Sequence, residues 1–311
     1  MTNSPALRVV NYHYVRDLPN SRFPRIKGML LENFRKQVAV LQERYEMATL
    51  ETVAAFLAGQ YQPARDLCLL TFDDGLQEHA AEVTPILAER KIQGLFFLTT
   101  ACIEEQVVLS VHKNHFLMAS LEFADYQAAF LAKIAANHPE TDTRVDREQA
   151  AKTYRFDSPD VAEFKFLLNF RLSDEVRQTI LNALFAEHLG NERAFAKELY
   201  VSWEEAKQMQ ASGMMLGGHS HRHVALATLS DAAQREDLRE SARLLRTRLH
   251  PQQLWSFSYP YGNPANSFNA VTIETLRELE FSSAFTTQTG TNDATQDRFA
   301  LRRFDTTDVT Y

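Results

Sequence analysis

An α/β fold built on a parallel sheet or barrel is predicted by two features of the sequence: short apolar runs of strand length, and amphipathic helical periods that alternate with them. A third feature bounds that core, because between about Cys102 and Leu199 the alternation gives way to helical periods alone. In order, "LRVVNYHYV" (7–15) reads as a buried strand. "LENFRKQVAVLQERY" follows as a helix with apolar residues at Phe34, Val38, Leu41 and Tyr45. "LCLLTF" (67–72) is a second strand, a helix runs from about Gln77 to Lys91, and "GLFFLTT" (94–100) is a third strand. Beyond the helical stretch come "MMLGG" (214–218), a helix over 231–249, "WSFSYPYG" (255–262), a helix over 269–280 and "SSAFTT" (282–287). The chain therefore divides into a first part of the core at 1–101, a helical insertion at 102–199 and a second part at 200–311. Within the insertion Ser173 and Asp174 read as a helix start and Gly190 as its end. Such an insertion can shape specificity, or serve packing or dimerisation.

A chain of 311 residues, 45% of them hydrophobic, is long enough to bury one large core or two modest ones. Lys plus Arg number 33 against 40 Asp plus Glu, a formal charge of −7, which gives no general electrostatic reason to bind nucleic acid or an anionic membrane. No apolar stretch approaches the length of a transmembrane helix, and the start, "MTNSPALRVVNYHYV", lacks a secretory signal pattern. Cys68 and Cys102 read as two buried free thiols, and a cytoplasmic location is expected.

Two places carry chemistry. In "GGHSHRH", His219 and His223 stand four apart with His221 between them; on one helical turn two such imidazoles can share a divalent ion, and otherwise the segment is a solvated polar loop. In "TFDDG", Asp73 and Asp74 end an apolar strand run. They either make a strand-to-helix turn with an Asp cap or, because parallel strands converge at their carboxyl ends, bring one acid to the histidine pair. One Asp would then hold the metal while the other takes a proton from the attacking water.

"TFDDG", "HSHRH" and "SYPYG", in this order, resemble the motifs of the polysaccharide deacetylases of the NodB-homology type, carbohydrate esterase family four. The resemblance covers about 7–100 and 200–307 and leaves the insertion outside. "VNYHYV" is similar to the segment found in members whose chain order begins at that strand. The resemblance implies a distorted (β/α) barrel of the NodB-homology type with an α-helical insertion. It implies Asp73 as catalytic base and Asp74, His219 and His223 as ligands of one divalent ion: zinc, or cobalt, nickel or iron. His221 falls on a variable position of the pattern. The "YPY" loop implies an oxyanion donor at the Tyr261 backbone, with Tyr259, Pro260 and Tyr261 at the substrate.

Two departures from the pattern are visible. Many members carry an arginine just before the Pro-Tyr loop to pair with the base, where this chain has Ser258 and Tyr259; Arg303 in "LRRF" is the candidate substitute, or else forms a surface salt bridge. No histidine follows His250 to act as general acid, and His13 in "NYHYV" takes that role in members with this N-terminal segment. His79, His112 and His115 could line the mouth of the site, and Trp203 could stack on sugar rings.

The activity so implied is metal-dependent removal of an N-acetyl group from an amino sugar in a saccharide or glycan precursor. Hydrolysis of a formyl or other amide by the same apparatus, or an inactive glycan-binding protein, are the alternatives. The substrate is the partner expected, and nothing in the residues indicates an oligomeric state.

Overall fold

Six consecutive buried residues, Leu67–Phe72, form the central strand of the sheet, with every side chain shielded from water. Such a run suits a parallel strand covered on both faces. The structure, a computed structural model, describes residues 5–155 and 157–309. Among them, eight strands form one parallel sheet: β1 (Leu7–Tyr12), β2 (Glu46–Met47), β3 (Leu67–Phe72), β4 (Gly94–Leu98), β5 (Met215–Gly218), β6 (Ser256–Ser258), β7 (Ser283–Phe285) and β8 (Phe304–Asp305). The order is β8-β1-β3-β4-β5-β6-β7, with β2 pairing the start of β3. A parallel bridge from Phe285 to Leu301 ties β7 back to the segment that leads into β8, so the sheet curls into a distorted (β/α) barrel.

Alternation along the strands separates two apolar clusters. Cys68, Leu70 and Phe72 pack with Phe96, with Phe34 and Val38 of the helix Leu31–Arg44, and with Leu238 and Leu245 of the helix Asp231–Arg248. Leu67 and Leu69 face the other way, with Leu7, Val9, Leu95, Phe97, Phe285 and Leu301 and the helix Leu50–Leu57. Toward the carboxyl ends of the strands this second set gives way to polar residues: Asn11 on β1, Thr71 on β3 and Ser258 on β6, all buried. That change of chemistry within one register places the site.

Two glycines are required by geometry. Gly75, at φ +66°, follows the acids, and a Cβ there would lie 2.9 Å from Leu98 Cδ2. At Gly217 in β5 a Cβ would approach the Ser256 carbonyl oxygen to 2.5 Å, so only glycine lets β5 and β6 lie this close.

The described residues fall into two compact units. The first, which holds the barrel, comprises residues 5–19, 27–107 and 196–309. The second comprises Asn20–Ile26 and Val108–Phe195. Its helices Ser110–Ser120, Phe123–Asn137, Arg147–Thr153, Pro159–Phe166 and Asp174–His188 enclose an aromatic centre in which Phe164 meets Tyr126 at 5.1 Å and Phe130 at 5.2 Å. Ser173 caps the last of these helices by accepting from Val176 N, and Gly190 follows it at φ +90°. No helix is long and apolar enough to cross a membrane. Cys68 and Cys102 are both buried free thiols.

Some details depart from the periodicity. The stretch 112–138 is two helices, broken where Leu121 and Glu122 turn extended. The predicted helix 77–91 opens with a π-helical turn, His79–Val83, before the α-helix Thr84–Glu89. The helix Trp203–Ala211 was not predicted, although Ser202 and Glu205 form a capping box that marks its start.

Candidate functional site

Asp73 extends the inward set of β3 by one step, 2% exposed, with its N–H donating to the Tyr12 carbonyl at 2.9 Å. Asp74 turns the chain at φ +78° into Gly75, which separates the two carboxylates. Past β5, His219 is held by its N–H to the Leu98 carbonyl at 2.9 Å, and Ser220 and His223 follow at φ +60° and +53°. Left-handed backbone in non-glycine residues costs on the order of 1–3 kcal/mol each and collects at sites where the surroundings hold it.

The candidate metal centre consists of Asp74, His219 and His223. One ligand atom of each lies within 4.8 Å of the others, and the Nε2 atoms of both histidines lie 3.4 Å from Asp74 Oδ1. His219 Nδ1 stands 2.7 Å from the Ser258 carbonyl. A carbonyl only accepts, so Nδ1 carries the hydrogen and Nε2 turns its lone pair toward Asp74. Such a lone pair facing a carboxylate oxygen is stabilised by a cation between them, and two imidazole nitrogens with one carboxylate suit a divalent transition ion with positions left open. Burial by itself would lower the His219 pKa, but Asp73 and Asp74 outweigh it and raise it above 6.5, so protons and a cation compete for this place.

Beside this cluster Arg303 grips Asp73. Nη1 donates to Oδ1 at 2.9 Å and Nη2 to Oδ2 at 2.8 Å. The guanidinium also donates to Thr286 O at 2.8 Å, Asn11 Oδ1 at 2.8 Å and Ser258 Oγ at 3.0 Å. Arg303 is 2% exposed, which excludes a surface salt bridge. Ser258 stands where many members carry the arginine; its hydroxyl donates to Asp73 Oδ2 at 3.2 Å, and its small side chain leaves room for the incoming guanidinium. Burial pushes the Asp73 carboxyl up, but Arg303 first, then His219 and His13, hold it down at about 2.

This depressed value has a consequence for stability. Between about 2 and the ordinary 3.8 the unfolded chain binds a proton that the native Asp73 does not. The contribution, about 2 kcal/mol, is therefore complete above about pH 4 and is lost as pH falls through about 2. Urea midpoints of the metal-free protein should fall over that window, and the component should be missing in Asp73→Asn.

His13 stands after β1 with its imidazole half exposed, Nε2 3.9 Å from Asp73 Oδ2. A cavity of about 870 Å³ opens beside it, lined by Asn11, His13, Tyr14, Asn33, Asp305 and Thr307 among others, within the range of ligand pockets. Tyr261 is 45% exposed at φ +61°, with its ring 5.2 Å from that of His223, and Thr287 Oγ1 donates to its carbonyl at 3.0 Å. Pro260 before it is buried.

Tyr259 corrects an expectation. Its ring is fully buried and stacks on Phe268 at 3.7 Å, and its hydroxyl donates to the Phe299 carbonyl, so this side chain packs the core and offers no surface to substrate. His79 is also buried and cannot line a mouth. His221 is placed between Thr100 Oγ1 at 3.0 Å and Glu105 Oε1 at 2.9 Å, away from the ligand set. Trp203 Nε1 donates to Glu104. His112 is buried and His115 is near it, both in the helical unit.

The family model described as "Polysaccharide deacetylase" matches residues 60–151 and 171–284. YxkH of Bacillus subtilis (strain 168), which carries the same family name, is 26% identical over 104 residues, 33% of this chain and 36% of that protein. Among solved structures, IcaB from Ammonifex degensii aligns with a TM-score of 0.60 at 20% identity, over 98% of this chain and 93% of that one. The Streptococcus pyogenes deacetylase PplD, solved with acetate, gives a TM-score of 0.58 at 15% identity, over 97% and 93%. At these identities the structural likeness speaks for the fold. With a model match that spans most of the barrel and holds the DDG and HSHRH segments in order, the chain belongs to the polysaccharide deacetylase family.

Proposed function

We propose that this protein hydrolyses the N-acetyl group of an amino sugar in a saccharide or glycan precursor, giving the free amine and acetate. The observation that carries the reading is the Asp74, His219 and His223 cluster set against a second carboxylate, Asp73, buried and gripped by Arg303. A divalent ion held by the first three would polarise the amide carbonyl and acidify the attacking water, which a base as weak as Asp73 requires.

In this reading Asp73 stays ionised and accepts the proton from the attacking water, while Arg303 and Ser258 keep its oxygens oriented. The Tyr261 backbone N–H supplies an oxyanion donor on a turn fixed by Thr287 and by Gly262, where a Cβ would meet Thr287 N at 2.6 Å. His13 protonates the departing amine. Zinc is the metal of choice for this donor set, with cobalt, nickel or iron as substitutes. The buried Arg303 pair weakens the case for an inactive glycan-binding protein, because it replaces the arginine missing before the loop.

The test is acetate release from N-acetylated amino-sugar oligomers, run beside their N-formylated counterparts. Acetate release that a chelator abolishes and zinc or cobalt restores is the expected result. Formate release alone would move the reading to a deformylase, and no release from either series with a loaded metal site would exclude the hydrolase.

A further inference from the structure

His79 is an ionisable residue placed where an apolar one would pack better. It is fully buried, its ring 5.5 Å from that of Phe72 and 5.6 Å from that of Phe96. Nε2 lies 2.8 Å from the carbonyl oxygen of His13, so Nε2–H donates there, and Nδ1 is buried without a hydrogen-bond partner among the described residues. The imidazole is therefore neutral, and burial drives its pKa below 6.5. A buried ring nitrogen left without a hydrogen bond is destabilising, a cost that a phenylalanine in this aromatic slot would avoid. Packing alone gives no reason for a histidine here; the bond to His13 does.

The neighbouring contacts point the same way. His79 opens the π-helical turn that follows the DDG segment, and Thr84 Oγ1 donates to its carbonyl at 2.8 Å. Glu78 accepts from Arg16, at 2.5 Å from Nε and 3.1 Å from Nη2. Two consecutive residues at the start of the helical segment that follows Asp73 and Asp74 thus grip positions 13 and 16. The His13 imidazole is half exposed and only 3.9 Å from Asp73, so its aim depends on the backbone beneath it.

We infer that His79 is a positioning residue, which fixes the His13 backbone through its carbonyl and so aims the His13 imidazole at the scissile amide. The inference rests on the reading of His13 as general acid. The experiment compares His79→Phe, His79→Gln, His13→Ala and the His13→Ala/His79→Phe double variant on one acetylated oligomer, with bound zinc and melting temperature measured for each. His79→Phe should melt no lower than wild type and keep its zinc, while kcat falls about ten- to a hundredfold and KM stays within about twofold. His79→Gln, whose amide N–H can reach the same carbonyl, should recover most of kcat. In the His13→Ala background the Phe substitution should cost nothing further.

An unchanged kcat in His79→Phe, or the same loss in the absence of the His13 side chain, would overturn the inference. Unchanged kcat in His13→Ala alone would overturn the general-acid reading, and the positioning role with it. Should His79→Phe not fold, His79→Met against His79→Gln makes the same comparison.

Discussion

Asp73→Asn is expected to lower kcat/KM by about a thousandfold while the zinc content stays near that of the wild type. The amide keeps the shape of the side chain but accepts no proton from the attacking water, and general-base catalysis is commonly worth about 10²–10⁴. Asp74, at φ +78°, points its carboxylate to the two histidines rather than to Arg303, so the metal centre should survive. The substitution also leaves Arg303 with a neutral partner, and some loss of stability is expected for that reason. Steady-state kinetics on an acetylated oligomer, beside metal analysis and a melting curve, separate the effects. Activity within tenfold of wild type would remove Asp73 as the base.

Arg303→Met should act on both stability and rate. The guanidinium is buried, pairs with both oxygens of Asp73 and has four further acceptors, on Thr286, Asn11, Thr71 and Ser258. Removing one partner of such a pair leaves the other charge buried, typically at about 3–5 kcal/mol. Without the arginine the strongest influence that lowers the Asp73 pKa is gone and the pKa rises, so the acid limb of the pH–rate profile moves to higher pH. Arg303→Lys, which keeps the charge but not the fork, should fall between Met and wild type. Denaturant unfolding and kcat/KM from pH 4 to 8 test this. Wild-type stability in Arg303→Met would show that the pair contributes little.

The barrel was legible because its strands are short apolar runs with sharp ends. Leu67–Phe72 is the plainest case, since nothing polar interrupts it before Asp73. The stretch between β4 and β5 was legible as helices but not in its breaks, because the turn at Leu121 and Glu122 interrupts a continuous helical period without a glycine or proline. The candidate site was legible as motifs because parallel strands deliver their terminal residues to one end of the sheet. What strand patterning could not give is the direction of side chains once the strand stops. Tyr259 and Tyr261 share a parity, yet the left-handed turn at Tyr261 leaves one ring in the core and the other at the surface. Nor does spacing disclose that β8 closes beside β1 and carries Arg303 across to Asp73, 230 residues away in sequence. The role of Ser258 was hidden for the same reason: its partners lie on three other strands or strand ends.

The central claim is that Asp74, His219 and His223 hold a divalent ion, and bound metal per chain tests it without any knowledge of the sugar. Elemental analysis should find about one transition-metal ion per wild-type chain and none in a folded His219→Ala/His223→Ala variant. Uptake should weaken as pH falls through the raised His219 pKa, where protons take the place of the ion. A wild-type chain that binds no metal after incubation with zinc, cobalt and nickel, or a double variant that binds as much as the wild type, would contradict the account.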